Sequence, residues 1–263
     1  MSKWTPTKIS ALKGKEKISA ITAYDWTTAK LVDQCNIELI LVGDSLAMTV
    51  LGHENTLPVT VDEMLHHTKA VVRGTEKALV VADMPFMSYQ ARLDDALLNA
   101  GRFIKEGHAD AVKIEGGAER AELIGLLTTN GIPVMGHIGL TPQSVKAMGY
   151  KVQGKTDEAG AELVKSAQAI EQAGAFAIVL EAVPAELAER ISASVGIPTI
   201  GIGAGDKCDG QILVIHDLLG LFETFIPKFA KQYAQLGKAT KEAIAEYSKE
   251  VKDGSFPSED HTY

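Results

Sequence analysis

Cysteine is scarce. The 263-residue chain has two, Cys35 and Cys208, far apart and outside any CxxC or Cys/His grouping. That argues against a disulfide framework and against a zinc site. A reducing cytosol is the simplest compartment, so a cytoplasmic protein is expected. Long apolar runs are missing as well. No stretch approaches the ~20 residues of a membrane span. The opening Met1-Ser-Lys-Trp-Thr-Pro-Thr7 leads into Lys13-Gly-Lys-Glu-Lys17 with no apolar signal-peptide region. Positive charge is in deficit, 26 Lys and Arg against 34 Asp and Glu, a net charge of −8. Nucleic acid and anionic membrane surfaces, which need clustered Lys and Arg, are therefore poor partners. What is present is ordinary for a globular chain: 46% hydrophobic and 23% charged residues. The length allows two small domains or one large barrel.

Short apolar runs of strand length recur, each closed by polar residues. They lie at 18–23, 39–43, 78–82, 110–115, 133–136, 176–180, 198–201 and 212–215. Between them come helical signals or long loops. A short helix is expected at 7–12, and Asp25 can cap a helix to about 35. Thr60 and Glu63 form a capping box before the apolar face Met64, Leu65, Thr68, Val71 and Val72, and Gly74 ends that helix. Leu93, Ala96, Leu97, Ala100 and Ile104 mark another helix, followed by helices at 119–130, 157–173 and after Pro184. Residues 46–59 and 139–155 read as loops. A helical tail carries Ile244, Tyr247 and Val251 on one face.

Strand alternating with helix implies parallel strands with right-handed crossovers. Eight such units in about 250 residues is the size of an α/β protein of the (β/α)8 TIM-barrel type. An open doubly wound sheet would place its ligand at one switch point. Here polar residues end nearly every strand, which fits a barrel mouth better. The expected layout is a single barrel domain over 1–263, with an N-terminal arm at 1–17 and a helical tail at about 232–263.

The chemistry sits at the strand ends. Asp44 and Asp83 close the second and third strands, and neighbouring strands lie roughly 4.8 Å apart, so the two acids can share one cation. An oxygen-only ligand set favours magnesium. Either Asp alone reads better as a cap or turn former; together, at adjacent strand ends, they favour the metal. Lys113 and Glu115, two apart on a strand, face the same way and read either as site residues or as a structural ion pair. His137 is a site candidate or a hydrogen-bonded structural histidine. Glu181 directly follows four apolar residues, and burial there would make it a usable base; the competing role is an acid ahead of the helix at Pro184. Gly201-Ile-Gly-Ala-Gly205 lacks Rossmann and Walker spacing, so its glycines are expected to keep the mouth open beside a ligand. His66, His67 and His216 read as structural or solvent-facing.

Several segments carry a specific resemblance. They are Gly43-Asp-Ser-Leu46, Thr56-Leu-Pro-Val59, Ala82-Asp-Met-Pro-Phe-Met87, Val112-Lys-Ile-Glu-Gly-Gly117, Gly136-His-Ile-Gly-Leu-Thr-Pro-Gln143 and Gly149-Tyr-Lys-Val-Gln-Gly154, with Leu180-Glu-Ala-Val-Pro184, Ile200-Gly-Ile-Gly-Ala-Gly205, Asp209-Gly-Gln211 and Pro227-Lys-Phe-Ala230 after them. From about Ile18 to Lys231, in this order, the chain resembles the ketopantoate hydroxymethyltransferases. Ala47 and Met148 stand where that family usually has glycine, and both concern loop geometry.

The resemblance implies a barrel of the phosphoenolpyruvate/pyruvate superfamily type, assembled as a homodecamer. It implies hydroxymethyl transfer from 5,10-methylenetetrahydrofolate to 3-methyl-2-oxobutanoate, giving 2-dehydropantoate for pantothenate and coenzyme A synthesis. Asp44 and Asp83 are then expected to hold Mg2+, with Glu115 at the metal. Asp44, Ser45, Asp83, Lys113 and His137 would bind the oxo acid, and Glu181 would be the catalytic base. Elementary chemistry agrees: a 2-oxo acid can chelate magnesium through its carbonyl and carboxylate oxygens, and a Lewis acid there favours the enolate. Isocitrate lyase and phosphoenolpyruvate mutase are rival enzymatic readings that share only the metal acids. The Lys-Lys-Cys-Gly-His loop of the lyases is absent. A non-catalytic barrel that only binds a ligand is the remaining rival.

Overall fold

The structure is a computed structural model describing residues 3–263. The elements run α1 (Pro6–Ser10), β1 (Ile18–Thr22), α2 (Trp26–Gln34), β2 (Leu39–Val42), α3 (Leu46–Thr49), α4 (Val61–Gly74), β3 (Leu79–Asp83) and α5 (Leu93–Lys105). There follow β4 (Ala111–Glu115), α6 (Ala121–Thr129), β5 (Val134–Gly139), α7 (Val145–Met148), α8 (Asp157–Gln172), β6 (Ala177–Glu181), α9 (Ala185–Ser194), β7 (Thr199–Ile202) and β8 (Gly210–Leu213). The last helices are α10 (Ile215–Leu218) and α11 (Leu236–Asp253).

The eight strands pair in sequence order, all parallel, and β1 closes on β8. The barrel interior is packed. Because side chains alternate along a strand, one row of each strand faces inward, and these rows form the core: Leu39 and Leu41, Leu79 and Val81, Ala177 and Val179, Ile200 and Ile202, with Ile18, Ala111, Met135 and Ile212. Ile9 of α1 joins the same core, and Trp4 and Leu12 pack against it. Within the stretch expected as an arm, residues 4–12 thus pack against the barrel core. Asp209 receives hydrogen bonds from Thr199 N (2.9 Å) and Lys13 Nζ (2.7 Å).

Helix starts follow the local chemistry. Asp25 accepts from Thr28 N at 2.9 Å and starts α2. Thr60 and Glu63 complete the capping box of α4 in both directions, at 2.8 and 3.2 Å. Pro184 stands at the N-cap of α9.

Three expectations shift. The loops at 46–59 and 139–155 contain the single-turn helices α3 and α7. His137 lies inside β5 and does not end it. The eighth strand ends at Leu213, so His216 and Asp217 belong to α10 and not to a strand end. Runs this short give no periodicity to separate strand from helix.

Residues 3–214 and 215–263 are two separate compact units. The second holds α10 and α11, tied by Tyr233 N to Leu218 O (2.8 Å) and by the Lys241–Glu223 ion pair (2.9 Å). Ile244, Tyr247 and Val251 are exposed on α11. No helix among the described residues is long and apolar enough to cross a membrane.

Candidate active site

The inward rows that build the core change character at their carboxyl ends. After Leu79 and Val81 the next inward residue of β3 is Asp83; after Ala111 on β4 come Lys113 and Glu115; after Met135 on β5 comes His137; after Ala177 and Val179 on β6 comes Glu181. Parallel register does the rest, pairing Asp83 with Lys113 and Glu115 with His137. On β2 the inward row continues into Gly43. A Cβ there would stand 2.9 Å from Ser45 Oγ and 3.5 Å from Asp83 Oδ2. The missing side chain makes room for both groups, and Asp44 follows at the rim.

The group is tightly connected. Asp44 N donates to Asp83 Oδ2 at 2.9 Å. The Lys113 ammonium stands 3.0 Å from Asp83 Oδ1, 3.7 Å from Glu115 Oε1 and 3.0 Å from His137 Nδ1. His137 Nε2 faces Glu181 Oε2 at 3.3 Å. Asp44, Asp83, Lys113, Glu115 and His137 are all buried. Glu181 is more open, with 16% of its side chain exposed, and its neighbour is an imidazole, not the apolar surroundings expected from sequence. The chain turns sharply after it: Ala182 takes a φ of 47°, uncommon without glycine, and Leu140 N holds Glu181 O at 2.8 Å. Gly139 at φ 94° passes so near that a Cβ would collide with that carbonyl oxygen.

Burial, with the charges of Asp83 and Glu115, pushes the Asp44 carboxyl well above its usual range, against the opposing pull of Lys113 and Gln143. Burial likewise pushes Asp83 up, although Lys113 and the Asp44 amide oppose it. Burial works against the Lys113 ammonium, but Asp83, Glu115 and Asp44 outweigh it and hold the amine charged. Glu115 is also burdened by burial, yet the His137 hydrogen bond and Lys113 keep it below its ordinary value. For His137, burial and Lys113 oppose protonation while Glu115 and Glu181 favour it, and the carboxylates prevail.

The remaining site candidates fall into place unevenly. Ser45 lies at the rim, its Oγ 2.8 Å from Tyr24 Oη. His67 is structural, its Nδ1 2.6 Å from Tyr24 O. Gly201 and Gly205 do not hold the mouth open; Cβ atoms there would press on Cys208 Sγ (3.0 Å) and on Ala185 Cβ (2.6 Å). Two residues that chemistry alone did not single out are Gln143 and Tyr89, both buried. Gln143 Nε2 donates to Asp44 Oδ2 at 2.9 Å and Gln143 N to Glu115 Oε2 at 3.0 Å, while Tyr89 Oη meets Gln143 Oε1 at 2.7 Å. Gln143 appeared only as the end of a family segment, and no sequence signal marked Tyr89. A cavity of about 500 Å3 opens beyond them, lined in part by Phe86, Arg120, Glu119 and Leu163.

The described residues hold no group of three or more His, Cys, Asp or Glu side chains arranged as a finished metal cage. The acids nevertheless suit a hard cation that keeps most of its waters and takes one or two carboxylates, as magnesium does. Asp83 Oδ1 and Glu115 Oε1 are buried and accept no well-formed hydrogen bond. Burial is the largest cause of the upward push on Asp44 and Asp83, and a cation held between them would offset it.

A closed barrel whose titratable side chains gather at the carboxyl ends of the strands is the layout of barrel enzymes. Solved structures share the fold. A 2,3-dimethylmalate lyase, a PEP mutase/isocitrate lyase superfamily member, aligns with a TM-score of 0.62 at 17% identity, over 98% of this chain and 91% of that one. A phosphonopyruvate hydrolase solved with oxalate and Mg++ aligns at 0.61 and 16% identity, over 99% and 93%. The likeness shows the same closed (β/α)8 barrel fold.

Sequence comparison is sharper. The family model of ketopantoate hydroxymethyltransferase matches residues 3–259. The 3-methyl-2-oxobutanoate hydroxymethyltransferase of Carboxydothermus hydrogenoformans is 57% identical, over all of this chain and 96% of its own length. That of Syntrophus aciditrophicus is 55% identical, over 99% and 97%. The chain belongs to the ketopantoate hydroxymethyltransferase family.

Proposed function

We infer that the chain transfers a hydroxymethyl group to 3-methyl-2-oxobutanoate, forming 2-dehydropantoate (ketopantoate) in pantothenate synthesis, with 5,10-methylenetetrahydrofolate as donor. The supporting observation is the buried set Asp44, Asp83, Lys113, Glu115 and His137 at the barrel mouth, with Glu181 more exposed beside it. Asp44 and Asp83 would hold Mg2+, with Glu115 next to it. When bound there, the ion supplies Lewis acidity toward the carbonyl and carboxylate oxygens of the oxo acid.

The protein's own side chains do the rest. The Lys113 ammonium, kept charged by three carboxylates, places positive charge where oxyanion character develops as C3 loses its proton. Ser45, His137 and the two aspartates orient the oxo acid. Glu181 receives the C3 proton on a carboxylate that is within reach of solvent, with His137 Nε2 3.3 Å from its Oε2. The nucleophilic carbon then bonds to the one-carbon unit of the donor; the two N–CH2 bonds break to release tetrahydrofolate, and one water supplies the hydroxyl oxygen of the product. The protein works in the cytoplasm as a homo-oligomer of ten chains. The exposed stripe Ile244, Tyr247 and Val251 on α11 is a surface suited to such contacts.

The decisive assay follows tetrahydrofolate release with 3-methyl-2-oxobutanoate, with and without magnesium. Magnesium-dependent release is expected. Tight binding of the oxo acid without turnover would favour a binding protein on the same barrel.

A further inference from the structure

Gln143 lies in a short 3-10 turn, Pro142–Ser144, just past β5, and every hydrogen-bonding site of its side chain is used. Nε2 donates to Asp44 Oδ2 and to Met84 O, each at 2.9 Å. Oε1 accepts from Tyr89 Oη at 2.7 Å and from Gln90 Nε2 at 3.1 Å. Met84 O can only accept, so the amide nitrogen must be the atom beside it, and the orientation of the amide is fixed by chemistry. Tyr89 Oη accepts from Glu115 N at 3.2 Å, and its single proton favours Gln143 Oε1 at 2.7 Å over Glu115 O at 3.3 Å.

Residues after β2, β3 and β5 and the end of β4 thus meet at one glutamine. Its side chain pins one oxygen of Asp44, and its backbone N–H pins Glu115 Oε2 at 3.0 Å. Glu115 Oε1 makes no well-formed hydrogen bond; its nearest basic neighbours are His137 Nδ1 at 3.5 Å and Lys113 Nζ at 3.7 Å. A carboxylate held by one oxygen presents the other in a fixed direction. Outer partners of this kind set the direction and strength of metal ligation.

We propose that Gln143 is a positioning residue for a divalent cation at Asp44, oriented in turn by Tyr89, so that the pair Tyr89–Gln143 sets the affinity of the site for the ion. This rests on the metal assignment proposed above. The relay has a direction: Tyr89 orients the amide, the amide orients Asp44, and Asp44 meets the cation. Tyr89 donates to no carboxylate of the cluster; its shortest contact, 2.7 Å, is to Gln143, and its longer contacts at 3.2 and 3.3 Å are to the Glu115 backbone.

The test is calorimetric titration with MgCl2, and with MnCl2 followed by electron paramagnetic resonance, with no substrate present. Gln143→Met keeps the volume and the backbone N–H to Glu115 but removes both side-chain donors. It is expected to weaken cation binding about 10–100-fold, the usual cost of losing an outer partner. Tyr89→Phe removes the hydroxyl's bond to Gln143 and its contacts with the Glu115 backbone, and is expected to cost about fivefold. In the Gln143→Met background Tyr89→Phe is expected to cost clearly less than in the wild type, since only its contacts with the Glu115 backbone remain to be lost. Asp44→Ala serves as the control. If Asp44→Ala binds the cation as the wild type does, the metal assignment fails, and this proposal fails with it. If Asp44→Ala loses the cation while a folded Gln143→Met keeps wild-type affinity, the positioning role alone is overturned. Should Gln143→Met not fold, unchanged affinity in Tyr89→Phe overturns it equally.

Discussion

Lys113 Nζ stands 3.0 Å from His137 Nδ1 and dictates which face of the imidazole can accept a proton. An ammonium can only donate, and at 3.0 Å it lies nearer Nδ1 than Glu115 Oε1 does at 3.5 Å, so neutral His137 is expected to accept at Nδ1 and carry its proton on Nε2, toward Glu181 Oε2 at 3.3 Å. Nitrogen-15 chemical shifts of His137 above its titration are expected to report the Nε2–H tautomer, and Lys113→Met to release that preference. An Nδ1–H tautomer in the wild type would refute the assignment.

The same lysine is the counter-charge of the acid cluster. Removing one partner from a buried ionic group typically costs about 3–5 kcal/mol, because the others stay buried and unpaired. Lys113→Met is therefore expected to melt well below the wild type at neutral pH. Lowering the pH protonates the stranded carboxylates, so the deficit should narrow as pH falls toward 5. A deficit that stays constant with pH would mean that lost packing, not charge, sets the cost.

Asp44 gives the opposite sign. Its folded titration is raised above its ordinary value by burial and by Asp83 and Glu115. A carboxyl raised in the folded state destabilises it while ionised, and the deficit is recovered as pH falls through the raised folded value toward the unfolded one. Without metal at neutral pH, Asp44→Asn should melt above the wild type, and the gap should close toward pH 4. Asp44→Ala and Asp83→Ala should both abolish turnover without unfolding the chain. Magnesium should raise the wild-type melting temperature and leave Asp44→Asn unmoved. Magnesium-dependent turnover retained in either alanine variant would argue against the site.

Glu181 separates proton removal from binding. Glu181→Gln cannot take the proton, so 2-dehydropantoate formation and exchange of the C3 hydrogen with deuterated water should fall by about 10²–10⁴-fold. Magnesium and 3-methyl-2-oxobutanoate should still bind. Near wild-type exchange in a well-folded variant would send the search for the base to His137 or Lys113.

Assembly is checked by light scattering, where ten chains per particle are expected at micromolar concentration. A monomer under those conditions would overturn the decamer.

Much of the barrel was legible in the chain. The alternation of Leu79, Val81 and Asp83, or of Ala111, Lys113 and Glu115, already told which residues share a face, because the two-residue period of a strand is local. Asp25, Thr60 and Pro184 marked helix starts for the same reason: capping is settled within about four residues. The family segments marked Asp44, Asp83 and Glu181. Local pattern could not tell that His137 sits within β5, nor that α3 and α7 interrupt two loops, since single helical turns leave no period to read. The alliances were also out of reach. Gln143 is 99 residues from Asp44, and Tyr89 is 54 from Gln143; only closure of the barrel brings them within hydrogen-bonding distance. Sequence by itself determined the repeating strand-and-helix pattern and the polar residues that end the strands. Tertiary structure decided which of those polar groups are buried together and which remain within reach of solvent, because burial and charge pairing depend on neighbours from other strands and not on the residues beside them in the chain.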